Sequence, residues 1–226
     1  MSARQRKPLA IDLFCGLGGW TEGLLAEGYD VIGFDIEQHV YGEHRYPGLL
    51  AIQDVRALHG SQFRHADLIV ASPPCQEYSY MAMPWSKAKA IAAEYRSGER
   101  DVGQLTALFD ACFRIQREAC EAAGRHIPMI VENVRGAEPW VGRARWNTGA
   151  YYFWGDVPAL MPMRFAEATK LGGTWFHGYR RGQGPRNHGS GSKARKAASA
   201  LIAKIPLPLS RHIAATFRPI RATEAA

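Results

Sequence analysis

The chain has 226 residues, of which 46% are hydrophobic and 22% are charged, and this composition is that of an ordinary soluble globular protein. Its length suits one compact domain and is short for two. No apolar run approaches the roughly 20 residues of a membrane-spanning helix, and the basic N-terminus lacks the apolar segment of a secretory signal. We therefore expect a cytoplasmic protein without a membrane partner.

Basic residues outnumber acidic ones by 28 to 21, and this excess favours a polyanionic partner over a protein that is merely basic. The four cysteines, at positions 15, 75, 112 and 120, form no C-x-x-C pair, which argues against a zinc or redox site. A disulfide framework does not suit a cytoplasmic chain of this size. We predict no metal site.

Strand-like and helix-like segments alternate through the first two-thirds of the chain. Strands are predicted at 9–14, 31–34, 51–52, 67–71 and 127–131, and helices at 20–27, 38–45 and 105–123. This alternation is typical of an α/β fold in which helices cover both faces of a mostly parallel sheet. Ligands of such sheets bind beyond the carboxyl ends of the strands.

Beyond residue 135 the pattern weakens. A strand is predicted at 151–154 and a final helix at 207–217. The stretch 172–196 is rich in Gly, Arg, Lys and His without a clear period, and we predict a loop there. The sequence has no internal repeat, and residues 1–226 are expected to form a single domain.

A glycine turn joins the first predicted strand to the first helix. Residues 12–19 read DLFCGLGG, and glycines at this place allow a tight turn and a close approach of a ligand to the backbone. The spacing is neither that of a dinucleotide-binding motif nor that of a P-loop. Asp35 closes the second strand, where a carboxylate can accept hydrogen bonds from a ribose, and Asp54 closes the third, where it could receive an adenine amino group. Each acid could instead be a helix cap, but together they favour a nucleoside-containing cofactor.

Residues 71–79 read ASPPCQEYS and hold a cysteine directly after two prolines. Pro73 and Pro74 restrict the backbone and present Cys75 at the end of a strand, where an accessible thiolate could act as a nucleophile. Glu132 follows another strand of the same sheet, so an acid would face the cysteine across one crevice. The alternatives are an inert cysteine in a turn and a capping or ion-paired glutamate.

Three motifs together resemble those of the cytosine-5 DNA methyltransferases. The run 12–19 is similar to that family's cofactor motif, the run 72–79 (SPPCQEYS) to its catalytic motif, and the run 131–134 (VENV) to its Glu-Asn-Val motif. The order and the spacing also match, over roughly residues 8–136, with a weaker similarity at 203–206 and in the final helix. The resemblance implies the Rossmann-like fold of S-adenosylmethionine-dependent methyltransferases and S-adenosylmethionine as the methyl donor.

The resemblance also implies roles for individual residues. Asp35 would hold the ribose and Asp54 the adenine, and the full set expected at the cofactor is Phe14, Gly16, Gly18, Gly19, Asp35, Ile36, Asp54, Val55 and Pro73. Cys75 would add to C6 of cytosine, which makes C5 nucleophilic, and Glu132 would hydrogen-bond the N3 side of the ring. Because a duplex hides the base, the nucleotide must be flipped out. Asn133, Gln76 and Ser79 are expected on the substrate side, the last two bracing the loop or filling the gap in the duplex, unless they are simply turn residues.

The chain departs from the family in its recognition region. Only about 40 residues separate Pro158 from Ala197, where the family usually carries a large target-recognition region. We expect the basic stretch 172–196 to stand in for it, with Arg180, Arg181 and Arg186 on phosphates, unless this stretch is a solvated surface loop. So small a recognition segment implies a short or relaxed target site, a separate partner that recognises the DNA sequence, or a substrate other than duplex DNA.

The chain also departs from the family in its arginine motif, and the role of the stretch 78–85 is open. Residues 141–145 read VGRAR and keep both arginines of the family's Gln-x-Arg-x-Arg motif, with valine in place of glutamine. The resemblance implies that Arg143 and Arg145 touch the target cytosine, with Arg135 as a further candidate; all three could be surface charges. The aromatic and Met-rich stretch 78–85 could be a lid over the flipped base or could pack on the core.

The favoured function is C5 methylation of cytosine in DNA by a compact enzyme of a bacteriophage or a restriction-modification system, in the cytoplasm of a bacterium or an infected host cell. One alternative keeps this chemistry and acts on RNA or a free pyrimidine nucleotide. The other is a non-catalytic DNA-binding or regulatory protein on the same scaffold, which the intact Cys75 and Glu132 disfavour.

Overall fold

The computed structural model describes residues 6–76, 78, 85–161, 188–189 and 191–219. Nine strands are found in them: β1 Leu9–Leu13, β2 Asp30–Asp35, β3 Val40–Tyr41, β4 His44–Arg45, β5 Leu49–Ile52, β6 Leu68–Ala71, β7 Met129–Asn133, β8 Trp146–Thr148 and β9 Tyr151–Gly155. The α-helices are α1 Gly19–Ala26, α2 Trp85–Ser97, α3 Val102–Ala123, α4 Glu138–Val141, α5 Lys193–Ala203 and α6 Leu207–Phe217. Short 3₁₀ turns occupy Val55–Ala57, Gly60–Phe63 and Arg135–Ala137.

Seven of the strands form one sheet in the order β5-β2-β1-β6-β7-β9-β8. The pairs from β5 to β7 are parallel, while β9 is antiparallel to both β7 and β8. The predicted α/β class with a mostly parallel sheet is therefore confirmed. Because β1, β2, β6 and β7 run in one direction, the segments that follow them emerge at the same edge of the sheet, which we call the carboxyl edge.

Helices cover both faces of this sheet because successive strand residues point to opposite sides. On one side Ile11, Ile69 and Val131 join a buried cluster with Phe109 and Ile115 of α3. On the other, Ala10, Val70 and Ile130 join a second cluster with Leu24 of α1 and Ile213 of α6. The central strands are thus apolar on both faces, as expected of a covered parallel sheet.

Two sequence predictions are corrected by the structure. The helix predicted at 38–45 is a two-stranded hairpin, β3–β4, in which Tyr41 pairs with His44. Gly42 has a φ of 63° at the turn, a conformation that glycine adopts readily and that a helix would not contain. The loop predicted at 172–196 is also wrong at its end, because α5 begins at Lys193 with the Ser192 side chain capping the backbone N–H of Arg195. Residues 172–187 and 190 lie outside the described residues.

Several elements were not predicted, among them α2, α4 and β8. Helix α2 occupies part of a segment that the sequence analysis left without structure, and β8 forms the sheet edge beside β9. No helix among the described residues is both long and apolar enough to cross a membrane.

Candidate functional site

The glycine turn coils tightly after β1. Phe14, Gly16 and Gly18 all have positive φ values, of 56°, 49° and 75°, and Phe14 is the one non-glycine residue of the described chain in that region. The turn is closed by a hydrogen bond from the Gly18 backbone N–H to the Cys15 carbonyl oxygen at 2.7 Å. A non-glycine residue in this conformation is strained, and such strain is typical of a backbone held for ligand binding.

The glycines of the turn serve different purposes. A Cβ on Gly18 would lie 2.4 Å from Pro47 Cδ, and a Cβ on Gly19 would lie 2.4 Å from the backbone N of Ile205. Both glycines are therefore needed for close packing within the protein. A Cβ on Gly16 would meet no atom within 4 Å, so the turn is open on that side. Gly16 is the position at which a ligand could approach the backbone.

The C-terminal segment packs against this turn. Ile205 contacts Gly19, and the Lys204 carbonyl oxygen accepts a hydrogen bond from the Tyr151 hydroxyl at 3.0 Å. The Lys204 ammonium forms an ion pair with Glu22 of α1. The segment 203–206 thus reaches the glycine turn.

Asp35 joins the turn to the end of β2. Its Oδ2 accepts the Gly16 backbone N–H at 2.9 Å, its Oδ1 accepts the Ile36 N–H at 2.8 Å, and His39 Nε2 lies 3.5 Å from Oδ1. Burial alone would raise the pKa of Asp35, but the hydrogen bonds from His39 and from Gly16 outweigh it and hold this pKa below its ordinary value. Asp35 is therefore an ionised acceptor beside the open side of Gly16. The adjacent Ile36 is 67% exposed, so an apolar surface lies next to this carboxylate.

Asp54 is already engaged within the protein. Both of its carboxylate oxygens accept hydrogen bonds from the Arg56 guanidinium, the shortest at 2.7 Å, and Oδ1 also accepts the Arg56 backbone N–H at 2.9 Å. The Arg56 side chain, followed by its backbone N–H, holds the pKa of Asp54 below its ordinary value. Asp54 therefore caps the 3₁₀ turn at Val55–Ala57, which was the alternative to a ligand role. An adenine amino group would have to share this carboxylate with Arg56. The next residue, Val55, is buried.

Three hydrogen bonds fix the Cys75 loop to other parts of the protein. The Ser72 hydroxyl oxygen accepts a hydrogen bond from the Trp20 indole at 3.0 Å, and the Pro73 carbonyl oxygen accepts one from the Asn133 amide at 2.9 Å. After the cysteine, the Tyr78 hydroxyl donates to the Leu105 carbonyl oxygen of α3 at 2.6 Å. The Tyr78 ring is buried against Phe109, so this residue of the 78–85 stretch packs on the core. Cys75 itself is half-buried, and Gln76 beside it is exposed.

Glu132 lies at the end of the neighbouring strand. Strands β6 and β7 pair in parallel with Ala71 opposite Val131, so Glu132 and the Cys75 loop leave adjacent strands at the carboxyl edge. Glu132 is 5% exposed and Asn133 1% exposed. Glu132, within β7, and the Cys75 loop, which follows β6, therefore lie at the carboxyl ends of two adjacent strands.

The remaining predicted residues are less closely tied to this edge. Arg135 is exposed in the 3₁₀ turn that follows β7, and Arg143 and Arg145 are exposed between α4 and β8. Ser79, Arg180, Arg181 and Arg186 lie outside the described residues. In the described part of the chain, no group of three or more His, Cys, Asp or Glu side chains could hold a metal ion.

A buried acid beneath the glycine turn was missed by sequence reasoning. Asp12 is fully buried; its Oδ2 accepts the Thr21 hydroxyl at 2.6 Å, and the Thr21 oxygen lies 2.7 Å from the Tyr46 hydroxyl. Asp12 Oδ1 has no hydrogen-bond partner among the described residues. Burial, opposed by the Thr21 bond, raises the pKa of Asp12 to about 7. The signal was an acid within an apolar strand, since charged residues are rarely fully buried.

Residues 9–94 match the family model of the C-5 cytosine-specific DNA methylases. The resemblance predicted from the motifs is confirmed. The match covers a little more than a third of the chain, from β1 to α2; it includes the glycine turn, Asp35 and Cys75, and it ends before Glu132. Together with the sheet topology, it supports the predicted Rossmann-like methyltransferase fold. No curated protein matches the chain.

Three solved methyltransferase structures are similar to this chain. A putative DNA modification methyltransferase encoded within a prophage of E. coli is 24% identical, with 58% of this chain and 33% of that chain covered and a TM-score of 0.38. The S. pombe Dnmt2 methyltransferase is 16% identical, with 60% and 37% covered and a TM-score of 0.37. The Entamoeba histolytica methyltransferase EhMeth is 16% identical, with 61% and 41% covered and a TM-score of 0.35. This chain spans about a third of the length of the first protein, and likenesses at this level add nothing to the family match.

The bond between Asn133 and Pro73 predicts the behaviour of an Asn133→Ala variant. Because the bond is buried and ties the Cys75 loop to β7, its loss should lower the free energy of unfolding by about 1–3 kcal/mol, measured by urea denaturation. Mass spectrometry should also show several-fold faster labelling of Cys75 by a thiol reagent. Asn147→Ala, at an exposed position of β8, is the control and should stay within about 0.5 kcal/mol of the native protein. An unchanged labelling rate in Asn133→Ala would contradict the proposed tie.

The raised pKa of Asp12 predicts how stability depends on pH. Asp12 keeps its proton in the folded chain up to about pH 7, whereas its ordinary pKa is 3.8, so the folded state binds more protons between these values. The contribution of Asp12 to the free energy of unfolding should therefore fall as the pH rises from 4 to 7. Asp12→Asn removes this contribution, and its stability relative to the native chain should rise over the same range in urea denaturation.

The control for this pH dependence is Asp30→Asn, because the Asp30 side chain is 64% exposed. Its stability relative to the native chain should change little between pH 5 and pH 7. If the difference in free energy of unfolding between Asp12→Asn and the native chain is also independent of pH, then Asp12 is ionised throughout this range in the folded protein.

Proposed function

We propose that the protein transfers a methyl group from S-adenosylmethionine to C5 of cytosine in DNA. The observation that carries the proposal is the convergence of three features at one sheet edge: the glycine turn with its open side at Gly16, the Cys75 loop, and the buried Glu132 on the next strand. The family match over residues 9–94 supports the same chemistry.

The residues beside the glycine turn fit an S-adenosyl cofactor. Gly16 leaves room against the backbone, Asp35 is an ionised acceptor for ribose hydroxyls, and the exposed Ile36 offers an apolar surface for a base. We assign the cofactor to Phe14, Gly16, Gly18, Gly19, Asp35, Ile36, Asp54, Val55 and Pro73. Bound there, S-adenosylmethionine supplies the electrophilic methyl group.

Cys75 and Glu132 activate the cytosine. The Cys75 sulfur forms a bond to C6, and the electron pair of the C5–C6 double bond moves toward C5, which becomes nucleophilic. Glu132 hydrogen-bonds the N3 side of the ring and stabilises the charge that develops there. After methylation, a base removes the C5 proton, the electron pair of that C–H bond re-forms the C5–C6 double bond, and the C6–S bond breaks to release the Cys75 thiolate. Asn133 fixes the Cys75 loop through Pro73, so it positions the nucleophile.

Substrate recognition is assigned to basic segments. We propose that a single domain over residues 1–226 carries the activity and that residues 172–196 take the place of a recognition domain, with Arg180, Arg181 and Arg186 on phosphates. Arg135, Arg143, Arg145, Gln76 and Ser79 are assigned to the flipped nucleotide and its surroundings. A separate sequence-reading partner, a cytoplasmic location and a phage or restriction-modification setting stay predictions.

The test is transfer of tritium from labelled S-adenosylmethionine to duplex DNA, single-stranded DNA, RNA and dCMP in parallel. We expect label in duplex DNA, with a loss of at least about 1000-fold in Cys75→Ala and a smaller loss in Glu132→Gln. Cys120→Ala, which changes another half-buried cysteine, should retain transfer. Duplex DNA that contains 5-fluorocytosine should trap a covalent Cys75 adduct, because its C5 carries no proton to lose.

Label in RNA or dCMP alone would keep the chemistry and overturn DNA as the substrate. Transfer that persists in Cys75→Ala would overturn the assigned nucleophile. Binding of DNA without label in any substrate would favour the non-catalytic alternative.

A further inference from the structure

Helix α2 begins ten residues after Cys75 and ends against the segment that follows β7. Its Tyr95 is buried, and the Tyr95 ring packs edge-on against Trp140 of α4 with 5.5 Å between centroids. Trp140 follows Glu132 by eight residues, through the 3₁₀ turn at Arg135–Ala137. The Tyr95–Trp140 contact therefore fixes α2 beside the part of the carboxyl edge that holds the proposed catalytic acid.

The outward face of α2 combines small and basic residues. The inward face is formed by Ala88, Ala92 and Tyr95, all buried. At 100° per residue, the opposite face consists of exposed small residues, with exposed basic side chains on both flanks. The small residues are Ser86, Ala90, Ala93 and Ser97, and the basic ones are Lys87 on one flank and Lys89 and Arg96 on the other. The flank of Lys87 also holds Glu94, whose carboxylate is paired with Arg100. A negatively charged strand could lie close to such a face without steric conflict.

Basic residues outnumber acidic ones around this helix. Residues 85–100 and 135–145 together hold seven Lys and Arg against three Glu, a local net charge of +4, beside the +6 of the basic stretch 172–196. Among the described residues, Lys87, Arg96, Arg135, Arg143 and Arg145 have no ion-pair partner. By contrast, basic residues at the amino ends of the strands are paired, such as Arg6 and Arg125 with Asp67 and Lys7 with Asp30.

Arg96 is held in place without being neutralised. Its guanidinium lies 5.9 Å from the centroid of the Trp140 ring, a cation–π contact that restricts the side chain. A guanidinium beside an aromatic ring keeps N–H groups that can donate to a phosphate. An ordered arginine without a counter-ion is what a phosphate contact requires.

We propose that the outward face of α2, with Arg96 and Lys87 on its flanks, binds the sugar–phosphate backbone of the nucleic-acid substrate beside the carboxyl edge. The inference rests on the proposed function, because it adds a binding surface for that substrate. It assigns part of the substrate contact to the catalytic domain itself rather than to residues 172–196 alone. The expected ligand is a polyanionic strand recognised by charge and not by sequence.

The experiment compares the Lys87→Gln, Arg96→Gln double variant with the native chain in equilibrium binding to a fluorescent duplex oligonucleotide between 50 and 300 mM NaCl. Two lost phosphate contacts should weaken binding about tenfold near 0.1 M salt. They should also reduce the slope of log K against log salt by about 1.8 in magnitude. The loss should be equal for a duplex of scrambled sequence.

Two further variants separate this contact from general charge effects. Arg117→Gln removes an exposed arginine of α3 that has no ion pair in the described chain, and its salt slope should match the native one. Arg96→Lys keeps the charge and loses the planar contact with Trp140, so it should keep the slope while binding somewhat more weakly. The melting temperature and the S-adenosylmethionine affinity should stay at native values in all three variants.

An unchanged salt slope in the double variant, or an equal loss in Arg117→Gln, would overturn the proposal while leaving methyl transfer untouched. Conversely, a reduced slope in a protein that transfers no label would support this surface and overturn the proposed function.

Discussion

The hydrogen bond from the Asn133 amide to the Pro73 carbonyl oxygen ties together the two strand ends on which the proposed chemistry depends. Both residues are buried, so the bond is shielded from competition with water. Pro73 and Pro74 limit the backbone of the loop, but proline alone does not decide where the loop points. The Asn133 bond, with the Trp20 bond to Ser72 and the Tyr78 bond to α3, fixes that direction. Cys75 is thus a half-buried residue in a loop that its neighbours hold from both ends.

A similar constraint operates on the cofactor side of the edge. Asp35 accepts the Gly16 N–H, so the glycine turn is tied directly to the end of β2. Beneath them, the Tyr46 ring fills space that only glycines leave: a Cβ on Gly33 would lie 2.4 Å from the Tyr46 hydroxyl, and one on Gly18 would lie 3.0 Å from Tyr46 Cδ2. The Tyr46 hydroxyl meets Thr21, which donates to the buried Asp12. The turn is therefore supported from within by polar groups as well as by packing.

The sequence was sufficient for features that depend on local spacing and strand direction. Glycines after a first strand, and Cys75 and Glu132 after later strands, must meet at one edge when those strands are parallel. Features that depend on distant residues were not accessible: Tyr46 reaches Thr21 across 25 positions, and Asn133 reaches Pro73 across 60. Helix α2 was missed because its buried face is largely alanine, which gives a weak apolar period. The segment 38–45 was predicted to be a helix, but Gly42 adopts a positive φ there and the chain forms the hairpin β3–β4. The sequence pattern did not reveal this turn.

The distribution of charge bears on what so small a chain could recognise. Contacts with phosphates position a nucleic acid, but they carry no base information, which comes from groove contacts and from the shape of the duplex. The outward face of α2 offers charge and small side chains, and neither distinguishes one base pair from another. If α2 and the basic stretch 172–196 supply most of the substrate contact, selectivity must come from the fit of a single flipped base between Cys75 and Glu132 and from the few residues around it. A catalytic domain built in this way would act at short or relaxed sites, or would depend on a partner for any longer sequence.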